Sequence, residues 1–279
     1  MATRRVNDLQ FDHGAQYFSA KGPRLGAMIA ERREAGHVDE WFDGAFVGTP
    51  AMTAPARAMA GGQVIIGGCQ VTALRHDRAG WSVHAADGLA EIPGNGGFSA
   101  VILAMPAPQA LPLVASAGVA LPELERVRYA PCWALMLAFS EPIGLPGDRY
   151  RPDDDAIAWI ARNASKPGRA HDKETVVIHA TPDWSRRHLE WSPDLIASEL
   201  ILRFHAITGL REQPYFYAAH RWRYALVEET AGPAFLWNAG ARFGACGDWC
   251  LGPRVEAAFD SGEALAAAIL QTSEPKFDF

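Results

Sequence analysis

Apolar positions recur at helical spacing near both ends of the chain. After Gly252-Pro253, apolar or small residues fall at Val255, Ala258, Phe259, Gly262, Leu265, Ala266 and Ile269, three and four apart. This predicts an amphipathic helix with proline near its first turn, where a missing N–H costs nothing. Leu25, Met28 and Ile29 predict a helix from Arg24 to about Gly36, and a shorter one runs from Ala51 to Ala60 after Gly48-Thr49-Pro50. Pro193 to Thr208 sets Leu195, Ile196, Leu200 and Phe204 in one stripe, with Glu199 and Arg203 on a charged face.

Shorter apolar runs between these helices read as strands. Gln63 to Ile66, Cys69 to His76, Trp81 to Ala86 and Val101 to Ala104 form a β-rich block, its middle pair joined by a hairpin turn at Asp77-Arg78-Ala79-Gly80. Val101 to Ala104 is apolar throughout, as in a strand buried on both faces, and Gly94 to Gly97 is a loop. Trp133 to Phe139, Ala156 to Ala161 and Thr175 to Ala180 are strands of a later, aromatic-rich region that ends on Tyr215 to Tyr217 and His220-Arg221-Trp222. Its tryptophans suit a core or a flat-ligand cavity. A polar tail follows Gln271.

Composition narrows the class. A chain of 279 residues that is 49% hydrophobic buries a large core, and a net charge of -6 supplies no basic face for nucleic acid. Cys69, Cys132, Cys246 and Cys250 lack the spacing of a zinc or redox pair, which reads as reduced thiols in a cytoplasmic protein with no metal. The uncharged run from Val101 to Leu121 is broken by Pro106, Pro108 and Pro112, so a strand, a loop and a surface helix fit it better than a membrane span. No charged-then-apolar signal sequence opens the chain, and neither a Gly-x-Ser-x-Gly elbow nor a His-Glu-x-x-His pair is present.

Two stretches carry candidate chemistry. Gly247-Asp248 lies between a short apolar run and the helix from Val255, a corner that presents free N–H groups and a helix dipole to an electron-rich group, or one in which Asp248 only caps the turn. Gly14, between His13 and Ala15, suits close approach by a flat group or a tight turn.

Taken together the two ends resemble the flavin-dependent amine oxidase superfamily, specifically its renalase-type bacterial members. That family has a Gly-Gly-Arg-Met-Ala-Thr run followed by an Asp-x-Gly-Ala-Gln-Tyr segment, matched here by Met1-Ala2-Thr3 and Asp12-His13-Gly14-Ala15-Gln16-Tyr17. Blocks at 128–139, 159–168, 220–225 and 245–251 look like internal blocks of the same group.

The resemblance implies an FAD cofactor. Gly247 and Asp248 would lie beside its pyrophosphate and ribityl chain, and Val255 and Glu256 would present N–H groups to the flavin N1 and C2 carbonyl, with Arg254 also on the cofactor side. Gly14, Ala15, Gln16 and Tyr17 would pass along the ring edge, and Val71 would contact the adenine. His179 and Trp222 are cavity candidates, His179 also reading as a satisfied strand histidine. The implied reaction is hydride transfer to FAD from dihydronicotinamide dinucleotide isomers or a related amine, with dioxygen as acceptor. A general amine oxidase and a non-catalytic remnant acting as a binding protein are the alternatives.

The implied fold is α/β, a Rossmann-like three-layer FAD lobe interleaved with a mixed-sheet α+β substrate lobe. Residues 1–24, 46–110 and 240–272 are expected in the first, 25–45 and 111–239 in the second. The family's Gly-x-Gly-x-x-Gly fingerprint has no counterpart here, so the FAD lobe is expected to lack its first strand and glycine-rich turn.

Overall fold

The structure, a computed structural model, describes residues 1–86, 88–89 and 97–273. Most of the loop expected at Gly94 to Gly97, and most of the tail after Gln271, lie outside the described residues.

The backbone forms two compact units, Met1–Gly61 with Tyr129–Leu226, and Gly62–Arg128 with Val227–Phe279. These breaks differ from the boundaries expected from sequence. Residues 1–24 and 46–61 fold with the aromatic-rich region in the first unit because Arg169 Nη1 donates to the Gly48 carbonyl at 2.7 Å and the Asp12 amide donates to Asn163 Oδ1 at 3.0 Å. The helix Ala107–Ala117 folds with the second, where Ser116 Oγ accepts from the Leu74 amide at 3.0 Å.

A five-stranded sheet organises the first unit, in the order Arg149–Tyr150, Ile157–Arg162, Glu174–Ala180, Arg128–Phe139, Phe216–Glu229. Its first four strands are antiparallel. Trp133, Leu135, Leu137 and Phe139 alternate onto one face with Val176, Ile178 and Ala180, where Ile196, Leu200 and Phe204 of the helix Pro193–Thr208 cover them. Ser192 caps that helix by accepting from the Leu195 amide, Pro193 lies in its first turn, and Gly209 closes it at φ 71°.

The opposite face carries Met136, Ala138 and Val177, covered by Leu9 and Phe11 from the strand Leu9–Phe11, which pairs with Arg4–Val6. Both faces being covered, Trp133 to Phe139 reads as an unbroken apolar run. An irregularity between Ile157 and Trp159 keeps Ile157 and Ile160 in the helix-side core. It turns Trp159 to the other face, in register with His179. The hairpin Val38–Phe42 with Ala45–Gly48, turning at Gly44 with φ 68°, completes the unit with the helix Pro23–Glu34.

The second unit holds the hairpin Val71–Asp77 with Gly80–Ala85, and a mixed sheet in the order Leu236–Asn238, Phe243–Ala245, Val101–Leu103. The last pair is parallel. Trp81, 1% exposed, ties the two together: its Nε1 donates to the Ala241 carbonyl at 2.9 Å and its ring lies 5.1 Å from Phe243. The helix Val255–Ser273 follows a single turn, Asp248–Leu251, and Gly252 between them has φ 139°, a region that favours glycine.

Two expectations are corrected. Gln63 to Ile66 is not a strand; Val64 and Ile65 are 80% and 71% exposed, and no neighbouring strand pairs with them among the described residues. Val101–Leu103 is an edge strand with Ile102 39% exposed, so the run is not buried on both faces.

Candidate active site

The site-bearing segment of the first unit leaves the strand Leu9–Phe11 and crosses the sheet face that carries His179. Its anchor is Asp12, fully buried. Oδ1 accepts from Thr3 Oγ1 at 2.6 Å and the Met52 amide at 3.2 Å; Oδ2 accepts from Arg169 Nε and Nη2 at 3.0 and 2.5 Å, with Lys166 Nζ at 3.7 Å. Asn163 braces the same stretch, accepting from the Asp12 amide at 3.0 Å and donating to the Gln10 carbonyl at 2.9 Å. Arg169 also donates to the Gly48 carbonyl at 2.7 Å. Burial pushes the Asp12 carboxyl up, but Lys166 and Arg169 outweigh it and hold the group below its ordinary range.

One carboxylate thus faces two buried cations, and the mobile proton is on the lysine. Burial, helped by Arg169 and opposed by Asp12, brings Lys166 from 10.5 to about 7. Lys166 is completely enclosed, with its Nζ 5.1 Å from the centre of the Trp41 ring. It donates to Gln16 Oε1 at 3.1 Å. Gln16 Nε2 lies 2.5 Å from the Asp12 carbonyl, 3.1 Å from the Gly14 carbonyl and 3.3 Å from His179 Nε2.

His179 Nε2 is also 3.1 Å from the His13 carbonyl, which accepts from Trp222 Nε1 at 3.0 Å. If Nε2 carries the proton it donates to that carbonyl; if it does not, it accepts from Gln16. The His13 ring packs 4.9 Å from His220 and 5.1 Å from Trp222. Burial lowers His179 to about 4, and burial together with His220 lowers His13 to about 4, so both are neutral at pH 7. Burial also lowers His220. Tyr17 lies beside this cluster, its ring 5.1 Å from Phe42 and 5.9 Å from Trp159.

The sequence candidates of this unit are therefore brought together: Gly14, Ala15, Gln16 and Tyr17 run past His179 and Trp222. At Gly14 the close approach is made by the chain itself, since an added Cβ would stand 3.0 Å from the Ala2 nitrogen. Asp12, His13, Lys166, Arg169 and His220 were not singled out from sequence. All but Arg169 lie within the quoted blocks, but nothing local marks them: Lys166 stands among Arg162, Asn163 and Ser165, and Asp12 between Gln10 and His13.

In the second unit, Val71 opens its strand half-buried. The Gly247 amide donates to Ser261 Oγ at 3.1 Å, and a side chain at Gly247 would collide with the Trp249 indole. Asp248 begins the single helical turn, and burial raises its carboxyl above the ordinary range while the Trp249 and Asp248 amides pull it down. Val255 and the buried Glu256 begin the long helix, where a negative charge complements the dipole; Arg254 is exposed.

Each unit, taken by itself, presents groups of the kind that a flat, polar cofactor engages. In the first unit His13 Nδ1 is buried without a hydrogen-bond partner among the described residues, an orphaned polar atom beside Gly14. In the second, a glycine-led helix start and a half-buried carboxylate suit a polyhydroxyl chain and an electron-rich ring edge. Among the described residues no cluster of His, Cys, Asp or Glu suits a metal ion, and no helix is long and apolar enough to cross a membrane.

The chain is α/β, with a mixed sheet, an antiparallel sheet and a buried polar cluster on one sheet face. Residues 10–270 match the family of flavin containing amine oxidoreductases, and the chain belongs to that family. Among solved structures, one described as a protoporphyrinogen oxidase from Exiguobacterium superposes with a TM-score of 0.61 at 15% identity, over 82% of this chain and 53% of the other. Putrescine oxidase bound to putrescine gives 0.55 at 16%, over 84% and 56%. An oxidoreductase from Methanosarcina mazei gives 0.54 at 15%, over 86% and 58%. The chain thus spans little more than half the length of these structures, and the likeness is one of fold.

Proposed function

We propose that the chain serves FAD-dependent oxidation of an amine. The observation that carries this reading is the cluster Gln16, His179, His13 and Trp222, held in one arrangement by Lys166 and Asp12 and neutral at pH 7 apart from the Asp12 ion pairs. An amine must shed its proton before its carbon–nitrogen bond gives up hydride, and surroundings without a spare carboxylate favour the uncharged amine. The substrate loses a hydride and becomes an iminium, and dioxygen receives the two electrons with two protons as hydrogen peroxide. Bound FAD supplies the hydride acceptor. Gly14, Ala15, Gln16 and Tyr17 in the first unit, and Val71, Gly247, Asp248, Arg254, Val255 and Glu256 in the second, keep their cofactor-side roles as part of the proposal. So do the Rossmann-like form of the cofactor lobe and the division of the chain into cofactor and substrate lobes.

Kinship with the amine oxidoreductase family supports the general amine reading over the finer renalase-type one, hydride transfer from dihydronicotinamide dinucleotide isomers, which rests on the sequence blocks alone. The test is reconstitution with FAD, gel filtration to remove free cofactor, and anaerobic mixing with a diamine or with a dihydronicotinamide. Loss of the visible flavin absorbance with the diamine supports the amine reading, and loss with the dihydronicotinamide alone supports the finer one. A chain that retains FAD and is bleached neither by these nor by amines that carry a carboxylate or a phosphate refutes both.

A further inference from the structure

We propose that Arg149, Arg151 and Trp159 form a subsite, on the sheet face that carries His179, for an anionic group of the substrate, a phosphate or a carboxylate. The subsite rests on the amine oxidoreductase reading and narrows its substrate class. Its position follows from strand register. Arg149 lies opposite Ala161 and Tyr150 opposite Ile160, so the next residue, Arg151, falls opposite Trp159. The Arg151 guanidinium carbon is indeed 4.7 Å from the Trp159 ring centre. Trp159 is paired with His179, and His179 with Ala134. Ala134, His179, Trp159 and Arg151 therefore make one row across the face, with Arg151 two strand spacings, about 10 Å, from the strand of His179.

Arg149, two residues back, shares the face, its guanidinium carbon 3.6 Å from the centre of the Phe42 ring. Tyr17, beside both Phe42 and Trp159, joins this end of the row to Gln16. An oxidisable group beside Gln16 and His179 thus leaves room for an anion on the same molecule at the two arginines.

Charge and unmet hydrogen bonding point the same way. Both guanidiniums are exposed and have no acid partner among the described residues. Neighbouring acids are engaged elsewhere: Asp148 by Arg162 at 3.1 Å, Asp154 and Asp155 by Arg203 at 3.4 and 2.6 Å. Of the acids from Asp148 to Asp155, Asp153 alone has no ion pair among the described residues. Stacking on aromatic rings orients a guanidinium plane while leaving its N–H edge free, and that edge matches phosphate or carboxylate in bidentate fashion. Independently, Trp159 is 7% exposed, yet its Nε1 has no hydrogen-bond partner among the described residues. An indole N–H only donates, so it calls for an acceptor. A bare diamine brings only cations to this end of the row.

The test is calorimetric titration of the purified chain, without flavin or turnover, with inorganic pyrophosphate in one arm and glutarate in the other. At least one anion binds, and the Arg149→Gln/Arg151→Gln double variant weakens it by about tenfold or more, the loss of charge-assisted hydrogen bonds. Trp159→Phe, which keeps an aromatic ring for Arg151, weakens it severalfold with an unchanged circular dichroism spectrum. Arg223→Gln, which removes an exposed cation paired with Glu190, leaves it unchanged. Tighter pyrophosphate binding identifies a phosphorylated substrate, tighter glutarate binding a carboxylated amine. Failure of both anions to bind at about 10 mM, or equal binding by parent and double variant, overturns the subsite. Because no flavin enters, the amine oxidoreductase reading stands or falls separately, by reconstitution.

Discussion

Lys166 Nζ donates to Gln16 Oε1 at 3.1 Å across 150 positions of sequence, and this bond sets which way the Gln16 amide faces. With the oxygen turned to the lysine, Nε2 meets the Asp12 and Gly14 carbonyls and His179. The reverse orientation would put N–H groups against the amine and oxygen against two carbonyls. The lysine thereby fixes the donor presented to His179 without touching His179 itself.

Removing that lysine should change the pH dependence of stability in a defined window. Lys166 titrates at about 7 in the folded chain against 10.5 in the ordinary range. Between those values the unfolded chain holds a proton that the folded chain does not, so stability rises with pH, by at most ~1.4 kcal/mol per unit. The destabilisation from the lysine is complete below pH 7 and gone above about 10.5. Urea midpoints for Lys166→Met from pH 7 to 10 are expected to lack this rise. A parent-like slope in the variant would show that Lys166 keeps its ordinary titration.

On the acid side the histidines act in the same sense. His13 and His179 each fall from 6.5 to about 4 by burial, so between pH 6.5 and 4 the unfolded chain takes up protons that the folded chain refuses. Stability should fall with decreasing pH across that window, the two histidines adding about two protons to the slope. His179→Asn should reduce the slope by about one proton, and thermal unfolding at pH 4.5, 5.5 and 6.5 measures it. An unchanged slope would contradict the burial of a neutral imidazole at this position.

How much of this was legible in sequence depended on whether a signal was local. The helix Pro193–Thr208 was, because Ser192, Pro193 and Gly209 mark its ends and its stripe has one period. The hairpin turn at 77–80 was legible for the same reason. The strand Phe216–Glu229 was not: its alternation is masked by exposed Tyr217, Tyr224 and Leu226 at the sheet edge. Gln63 to Ile66 shows the reverse failure, a strand-like composition with no neighbour to pair with among the described residues. In the site, Gln16 and His179 were named, but the reason they meet is Lys166 and Asp12, which come from opposite ends of a 154-residue separation. No periodicity reports a pairing across such a distance.

Glycine positions offer a cleaner contrast. Gly26 lies inside the helix Pro23–Glu34 with open space where a Cβ would go, so Gly26→Ala should stabilise by ~0.5–1 kcal/mol. At Gly48 an added Cβ would run into the Ala51 carbonyl and, at 2.6 Å, Pro55 Cδ, and the Gly48 carbonyl is held by Arg169. Gly48→Ala should therefore destabilise by about 1–3 kcal/mol, the ordinary cost of overpacking. Denaturant midpoints that move in the same direction for both would count against the packing described around Gly48.

Asp12 should be the costliest single site to neutralise. Its side chain is fully buried and is the only carboxylate that an ion pair joins to Lys166 or Arg169 among the described residues. Asp12→Asn keeps the shape and the acceptor for Thr3, but it leaves two cations enclosed. Lys166 escapes by releasing its proton, being near 7 already. Arg169 has no such recourse, because a guanidinium stays charged at any accessible pH. An unpaired buried charge costs ~3–5 kcal/mol, whereas Thr3→Val removes a single hydrogen bond at 2.6 Å and should cost about 1–2 kcal/mol. Arg169→Met added to Asp12→Asn should recover part of the loss, since it removes the stranded cation, and the interaction energy of that double-variant cycle measures the pair. If Asp12→Asn costs no more than Thr3→Val, or if the two changes simply add, the ion cluster does not hold the segment from His13 to Tyr17 in place.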